Sequence, residues 1–162
     1  MYKKGYYFFI SLIFIGFIAC NDEDNATPDP NALTLEVSKD TLYLDPAEGN
    51  EVALTFSWNK GIDRGAENSV VYYFRMARLG EDFNEDSIDP LEISSEEARE
   101  VGFTHQELAD LLTDKWGVFP GEEQAFQARV VAKVIGPVFM YPEISYVNVS
   151  IFNGEINQND VE

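Results

Sequence analysis

Large apolar residues occupy every second position from Val52 to Trp58, with smaller residues between them, and this feature restricts the fold more than any other. Successive side chains of a β-strand point to opposite faces, so such a segment buries one face and exposes the other. The apolar positions that share one face are Val52, Leu54, Phe56 and Trp58. The pattern predicts a half-buried strand, which needs a second packed layer to cover it.

The same alternation recurs along the chain between turn-forming clusters. A turn cluster occupies 45–50, and a loop with two glycines occupies 59–68. We predict further strands near 33–37, 42–44, 69–79, 91–93, 123–134 and 145–152. In the segment at 123–134, the predicted inward residues are Phe126, Ala128, Val130, Ala132 and Val134. About seven short strands with frequent turns predict an all-β, antiparallel β-sandwich.

One helix interrupts the strands. Thr104 and Glu107 have the spacing of a capping box, and Phe103 is placed to pack on Leu108. Apolar residues follow at helical spacing, and Gly117 provides a C-terminal stop. We expect this short helix over one end or edge of the sandwich.

The N-terminus has the pattern of a secretory signal. Two lysines precede the apolar stretch 6–19, which is shorter than the ~20 residues of a membrane-spanning helix. The stretch ends Phe17-Ile18-Ala19-Cys20, which resembles a bacterial lipobox. We predict a lipoprotein signal peptide over 1–19 and lipidation of Cys20. The alternatives are cleavage by an ordinary signal peptidase and a short uncleaved anchor.

The lone cysteine also excludes a disulfide, so stability must come from packing. The segment 20–32 is acidic, contains proline and holds too few apolar residues to build a core, so we predict a tether. Its acidic run resembles a surface-export signal of Bacteroidetes lipoproteins. One domain is predicted over 33–155 and a polar tail over 156–162.

The net charge of the chain limits the classes of molecule that it can bind. The chain has 29 acidic and 11 basic residues and a net charge of −18, which becomes −20 without residues 1–19. Such a field repels nucleic acid and anionic lipid headgroups. We therefore predict no nucleic-acid partner, and membrane association through the lipid anchor alone.

Five segments in this order resemble the SusE-like outer-membrane lipoproteins of Bacteroidetes over residues 33–152. The segments are 53–58, 70–74, 80–83, 107–112 and 126–130. The resemblance implies an immunoglobulin-like sandwich and an accessory role in starch or glycan uptake, beside an outer-membrane transporter and glycan-binding lipoproteins. It also implies carbohydrate-binding domains after the first one, which we expect this chain to lack. A truncated form of a longer protein is an alternative.

The side chains that a catalytic or metal-binding site requires do not form a recognisable set in this sequence. His105 is the only histidine, so a histidine-based metal or catalytic site lacks partners. The segment 82–86 begins like a calcium loop, but Ser87 and Ile93 stand where glycine and glutamate are needed. No acidic pair stands out for glycoside hydrolysis. We predict no enzyme activity, no metal and no cofactor.

Whether aromatic side chains are buried or exposed bears on which partner the domain contacts, a protein or a sugar. Trp58 and Trp116 fall on apolar faces and are predicted to be core. The segment 136–142 is unusually apolar for a hairpin loop, and Phe139, Tyr141 and Tyr146 are our candidate contact residues. The loop either folds back on the sandwich, contacts a protein partner or binds an oligosaccharide. We predict a non-catalytic accessory subunit, with a weak carbohydrate-binding module as the alternative.

Overall fold

The computed structural model describes residues 29, 31–65, 68–84, 86–94, 99–136 and 140–154, which form eight strands and one short helix. The strands are β1 (Leu35–Val37), β2 (Thr41–Tyr43), β3 (Val52–Trp58), β4 (Ser69–Arg78), β5 (Leu91–Ser94), β6 (Glu100–Thr104), β7 (Glu123–Ile135) and β8 (Glu143–Phe152). The helix α1 (His105–Asp110) is followed by a π-helical turn, Leu111–Lys115, and a 3-10 turn spans Pro46–Glu48.

Two sheets pack face to face, which confirms the predicted immunoglobulin-like sandwich. One sheet has the order β1-β3-β6, and the other has the order β2-β8-β7-β4-β5. The sequence analysis missed β6, because Val101 and Phe103 supply only one repeat of the alternation before the helix cap. Both side chains are buried in the structure, so β6 is a genuine core strand.

One pair of strands is parallel, so the prediction of a wholly antiparallel sandwich was wrong there. β2 runs parallel to β8, with Leu42 opposite Ile151. The cause is a change of sheet within one extended segment. β1 pairs with β3, and after the turn at 38–40 the chain continues in β2 at the edge of the other sheet. The amide of Ser150 donates to the carbonyl of Asp40 (2.9 Å), which fixes the register of this crossing.

Aromatic rings from both sheets meet in the core. Phe56 of β3 and Phe74 of β4 have their ring centroids 5.0 Å apart, and both side chains are fully buried. Trp58 lies nearly parallel to Phe74 at 6.2 Å. Burial of a ring of this size contributes roughly 1.5–3 kcal/mol to folding, and ring pairs add roughly 0.5–1.5 kcal/mol. These contacts join the sheets where no disulfide does.

Val52 departs from the predicted face of β3. Leu54, Phe56 and Trp58 are buried as predicted, but Val52 is 64% exposed and Ala53 is buried in its place. The pairing with β6 shifts between Val52 and Leu54, so the strand has a bulge there. An extra residue reverses the side-chain alternation beyond it, which turns Val52 outward.

The helix confirms the predicted capping box. The Thr104 hydroxyl accepts from the Glu107 amide (3.2 Å), and the Glu107 carboxylate accepts from the Thr104 amide (2.8 Å). The first helical amides, those of His105 and Gln106, donate to the carbonyls of Glu51 and Gly49. The helix therefore lies against the β2–β3 connection at one end of the sandwich, as expected.

The bulge predicts a contrast between two neighbouring residues. Leu54→Ala should lower the free energy of unfolding by about 2–5 kcal/mol, because it leaves a cavity in the core. Val52→Ala should cost less than about 1 kcal/mol, because the side chain is exposed. Urea unfolding with an unchanged m value measures both. Equal losses would contradict the bulge and place both residues in the core.

Candidate partner-binding surface

Glu143, the first residue of β8, joins three segments at one end of the sandwich. One carboxylate oxygen accepts from the Leu33 amide (3.1 Å), where the chain leads into β1. The other accepts from the Ile62 amide (3.2 Å) and from the guanidinium of Arg64, both in the β3–β4 loop. We call this end, formed by 31–34, 59–65, 68 and 140–143, the loop end.

Arg64 holds the β3–β4 loop in shape. Its side chain is 3% exposed, and its Nη1 donates to the carbonyls of Lys60 (3.2 Å) and Ile62 (3.1 Å). Gly61 has a φ of +71°, and an added Cβ would lie 2.5 Å from the Glu143 carboxylate. A glycine is therefore required where the loop approaches that carboxylate.

The β7–β8 loop lies at the same end. Gly136 leaves β7 so close to Asn68 that an added Cβ would clash with the asparagine side chain. Of the predicted contact residues, Tyr141 is 84% exposed in this loop, and Tyr146 is 55% exposed in β8. Phe139 and Cys20 lie outside the described residues. The structure therefore brings Tyr141 and Tyr146 to one hairpin and leaves both accessible.

The outer face of the five-stranded sheet continues this exposed surface. We call five of its residues the outer-face patch: Tyr73, Val131, Ile135, Ile144 and Tyr146. Ile144 and Val131 are directly paired across β8 and β7, and Val131 is paired with Tyr73 of β4. Ile135 is 53% exposed and Ile144 is 47% exposed. Sequence analysis selected Tyr146 but not Ile144, although β8 alternation puts both on one face.

This face also differs in charge from the rest of the molecule. The outward positions within 69–77, 125–135 and 144–152 include Arg75, Arg129 and Lys133 but no acidic residue. The whole chain has 29 acidic and 11 basic residues. Glu92 of the edge strand β5 and Glu123 at the start of β7 are acidic residues at the margins of the same face, so its centre is apolar and basic in an otherwise acidic molecule.

Tyr146 is supported from one side by the β4–β5 loop. The Phe83 ring lies 6.1 Å from the Tyr146 ring, and the Arg129 guanidinium lies over Phe83 at 4.3 Å. Arg75, paired directly opposite Arg129, donates from Nη1 to the Phe83 carbonyl (2.6 Å). The positive charges of Arg75 and Arg129 repel each other across the two strands. The hydrogen bond to the Phe83 carbonyl and the cation–π contact with the Phe83 ring offset this repulsion. One side of the Tyr146 ring therefore packs against Phe83, which is itself held by Arg75 and Arg129.

Tyr73 has a carboxylate beside its hydroxyl. It is paired with Glu92 of the edge strand β5. Partial burial, the Glu92 charge and a hydrogen bond to Glu92 raise the pKa of Tyr73 above 10.0. The phenol therefore stays neutral at physiological pH, so Tyr73 adds no charge to the patch.

Both tryptophans are core residues, as predicted. Trp58 is 6% exposed and Trp116 is 7% exposed. The Trp116 indole donates to the Asp86 carbonyl (2.7 Å), and its ring lies 4.7 Å from Phe126. The flat indole faces that most often stack on sugars are thus used for packing.

His105 has a structural environment. It is 6% exposed, and its Nδ1 accepts from the Asp45 amide (3.0 Å). Because Nδ1 accepts, the proton of the neutral ring is on Nε2, which lies 3.3 Å from a Glu48 carboxylate oxygen. The histidine therefore fastens the helix to the 3-10 turn.

The segment that resembles a calcium loop is occupied by other contacts. One Asp82 oxygen accepts from the Asn84 amide (2.7 Å), and Asp86 binds the Arg78 guanidinium at 2.6 and 3.0 Å. Burial alone would raise the pKa of Asp86, but hydrogen bonds from the Arg78 side chain and amide outweigh it and lower that pKa below 3.8. Asp86 is a loop-fixing carboxylate.

The described residues lack two kinds of feature. They contain no group of three histidine, cysteine or acidic side chains that could hold a metal. They also contain no helix that is both long and apolar enough to cross a membrane.

Comparison with known proteins identifies a family. The model of the family described as SusE outer membrane protein matches residues 21–131, about two thirds of the chain. The match confirms the predicted resemblance. It ends within β7, so Tyr141, Ile144 and Tyr146 lie beyond it. No curated protein matches the sequence.

The carboxylate of Glu143 should be essential to the loop end. Glu143→Gln leaves the buried Arg64 without its counter-charge, so we expect a loss of about 3 kcal/mol in the free energy of unfolding. Glu123→Gln, an exposed carboxylate at the start of β7, is the control and should cost less than about 0.5 kcal/mol. Chemical unfolding compares the two variants. An unchanged stability for Glu143→Gln would show that the pair does not hold the loops.

Asp86 should make the free energy of unfolding depend on pH in the acidic range. Because its pKa is lowered in the folded state, the stability it contributes is complete above the ordinary value of 3.8 and is lost as the pH falls below it. Asp86→Asn should therefore destabilise the protein most near pH 6 and least near pH 2. Asp89→Asn controls for loss of one negative charge in the same loop. A difference independent of pH would argue against the ion pair with Arg78.

Proposed function

This chain belongs to the SusE outer membrane protein family, and from that premise we propose that it is a non-catalytic surface lipoprotein. Its role is that of an accessory subunit of a polysaccharide uptake system, acting through protein–protein contacts. The outer-face patch and the adjoining loop end form the contact surface. The observation that carries this proposal is the exposure of Ile135, Tyr141, Ile144 and Tyr146 on one hairpin.

The composition of the surface fits a protein partner. Scattered exposed apolar residues need no explanation, but a contiguous group at one site favours an interaction. Protein interfaces are enriched in tyrosine and arginine, and their centres are depleted of charged carboxylates. Tyr146 and Ile144 of the patch have basic neighbours on the same face, since Arg129 is paired with Tyr146 and Arg75 with Arg129, in a chain rich in acids.

The orientation of the domain supports the same surface. The chain leads into the sandwich at Leu33, which binds Glu143 at the loop end. Thirteen residue steps separate Cys20 from Leu33, so a lipid at Cys20 would hold the loop end within about 45 Å of the membrane. The α1 end is the opposite one, since β8 runs from Glu143 to Phe152 away from the loop end. The contact surface would thus face membrane-bound partners.

The proposed partners follow from this placement. They are the outer-membrane transporter and the glycan-binding lipoproteins of the uptake system, which share the membrane surface with a lipid-anchored domain. A lipid-tethered subunit meets such partners at a high effective concentration, so a small patch is enough for association. The cell-surface location and lipidation of Cys20 are parts of the proposal.

A weak carbohydrate-binding module is the second candidate. The observation in its favour is that Tyr141 and Tyr146, 84% and 55% exposed, lie on the same hairpin. The burial of both tryptophans argues against a sugar platform of ordinary strength. A phenol ring can stack on a sugar, so the second candidate predicts weak binding that depends on these two tyrosines.

Removal of exposed apolar groups from the hairpin should weaken partner capture without unfolding the domain. We expect the double change Tyr141→Ser and Ile144→Ser to reduce recovery of the transporter from native membranes at least about tenfold. Phe119→Ser removes a side chain of similar exposure, 59%, near the opposite end and is the matched control. Mass spectrometry of proteins that copurify with the lipidated chain measures recovery.

The outcomes separate the two candidates. Loss of partners in the hairpin variant, with a melting temperature close to that of Phe119→Ser, supports the accessory role. Undiminished recovery would place the contact elsewhere. Unchanged recovery together with loss of oligosaccharide binding would favour the carbohydrate-binding module. Cys20→Ser tests separately whether the lipid anchor is needed for capture.

A further inference from the structure

A small cleft at the loop end is lined by positive charge. Its volume is about 180 Å³, and Lys60, Arg64 and Arg99 line it together with Tyr72 and Asn68. Asp63 is the acidic residue among its lining, and one of its oxygens accepts from the Gly65 amide (3.0 Å). Three of the 11 basic residues of an acidic chain thus meet at one concave site.

Structural roles explain only one of these three cations. Arg64 is tied to Glu143 and to two loop carbonyls, as described above. The side chains of Lys60 and Arg99 make no ion pair or hydrogen bond with any residue in the described part of the chain. The Nε atoms of Arg64 and Arg99 are buried without an acceptor. With Arg64 paired to Glu143, Lys60 and Arg99 contribute two positive charges to the lining and Asp63 contributes one negative charge, so the described lining keeps a net positive charge.

Tyr72 is part of the lining of the cleft. Its hydroxyl donates to the Lys60 carbonyl (2.9 Å), which orients the loop beside it. Burial raises the pKa of Tyr72, and the charges of Arg99 and Arg64 oppose that rise. Both guanidinium groups thus lie close enough to act on the phenol. The Tyr72 phenol is thus held in a fixed position in the lining of the cleft.

We propose that this cleft binds a small oxyanion, the carboxylate or sulfate group of an acidic sugar. Guanidinium and ammonium groups match such oxyanions in charge and hydrogen-bond geometry. The volume suits one charged group with a few waters, and it is below the ~300 Å³ of sites for larger ligands. The overall negative charge does not prevent this, because charges more than a Debye length away, about 8 Å at physiological salt, are screened.

The cleft lies at the loop end, which adjoins the outer-face patch, but none of the five residues of the patch lines it. Lys60 lies in the β3–β4 loop, and Arg99 directly precedes β6. The patch residues lie on β4, β7 and β8. A protein that captures no transporter can still bind an oxyanion, and the reverse also holds. A failure of one proposal is therefore distinguishable from a failure of the other.

A ligand-observed NMR titration of the purified full-length protein in non-ionic detergent tests the assignment. The probes are glucuronate, glucose 6-sulfate, inorganic sulfate and neutral glucose. We expect saturable binding of the anionic probes and none of glucose. Arg99→Gln and Lys60→Gln should each lower the affinity at least about tenfold and leave the melting temperature unchanged, because neither side chain has a partner among the described residues.

Lys39→Gln is the matched control, since it removes one exposed positive charge from the β1–β2 connection, outside the cleft. Binding that survives in Lys39→Gln and fails in Arg99→Gln supports the cleft. Tighter binding of glucuronate than of inorganic sulfate supports an acidic sugar as the source of the oxyanion. No saturable binding, equal binding of glucose, or equal losses in all three variants would overturn the proposal.

Discussion

Aromatic packing between the two sheets is the interaction on which the rest of this structure depends. Phe56 and Phe74 meet at 5.0 Å, and Trp58 lies over the same Phe74 ring, in a chain whose lone cysteine cannot form an internal disulfide. This core uses the large rings that the inner faces supply, including both tryptophans. It leaves the outer faces of the two sheets and the loops at their ends as the surfaces available for contacts.

The loop end shows how a few polar contacts shape that remaining surface. A single carboxylate, that of Glu143, receives hydrogen bonds from the segment leading into β1, from the β3–β4 loop and from Arg64. The same contacts hold the β7–β8 hairpin, which carries Tyr141, beside Leu33. The structural and proposed functional roles of this end are therefore coupled, because the carboxylate that fixes the loops also lies at the base of the apolar hairpin.

Local sequence patterns predicted the parts of the fold that depend on neighbouring residues. The alternation at Leu54–Trp58 and the Thr104–Glu107 capping box are both confirmed, because each depends on contacts within a few positions. The outward turn of Val52 was not predictable, since a bulge is set by pairing with another strand. The Arg64–Glu143 pair and the basic cleft join residues far apart in sequence, so no local pattern marked them.

Site-specific photo-crosslinking in intact cells tests the central claim, contact through the outer-face patch, most directly. A photoreactive residue at position 144 reports on the patch, and one at position 119 reports on the opposite end of the domain. The account predicts crosslinks from position 144 to an outer-membrane transporter or a companion lipoprotein, and few from position 119. Equal crosslinking from both positions, or crosslinks from position 119 alone, would contradict it.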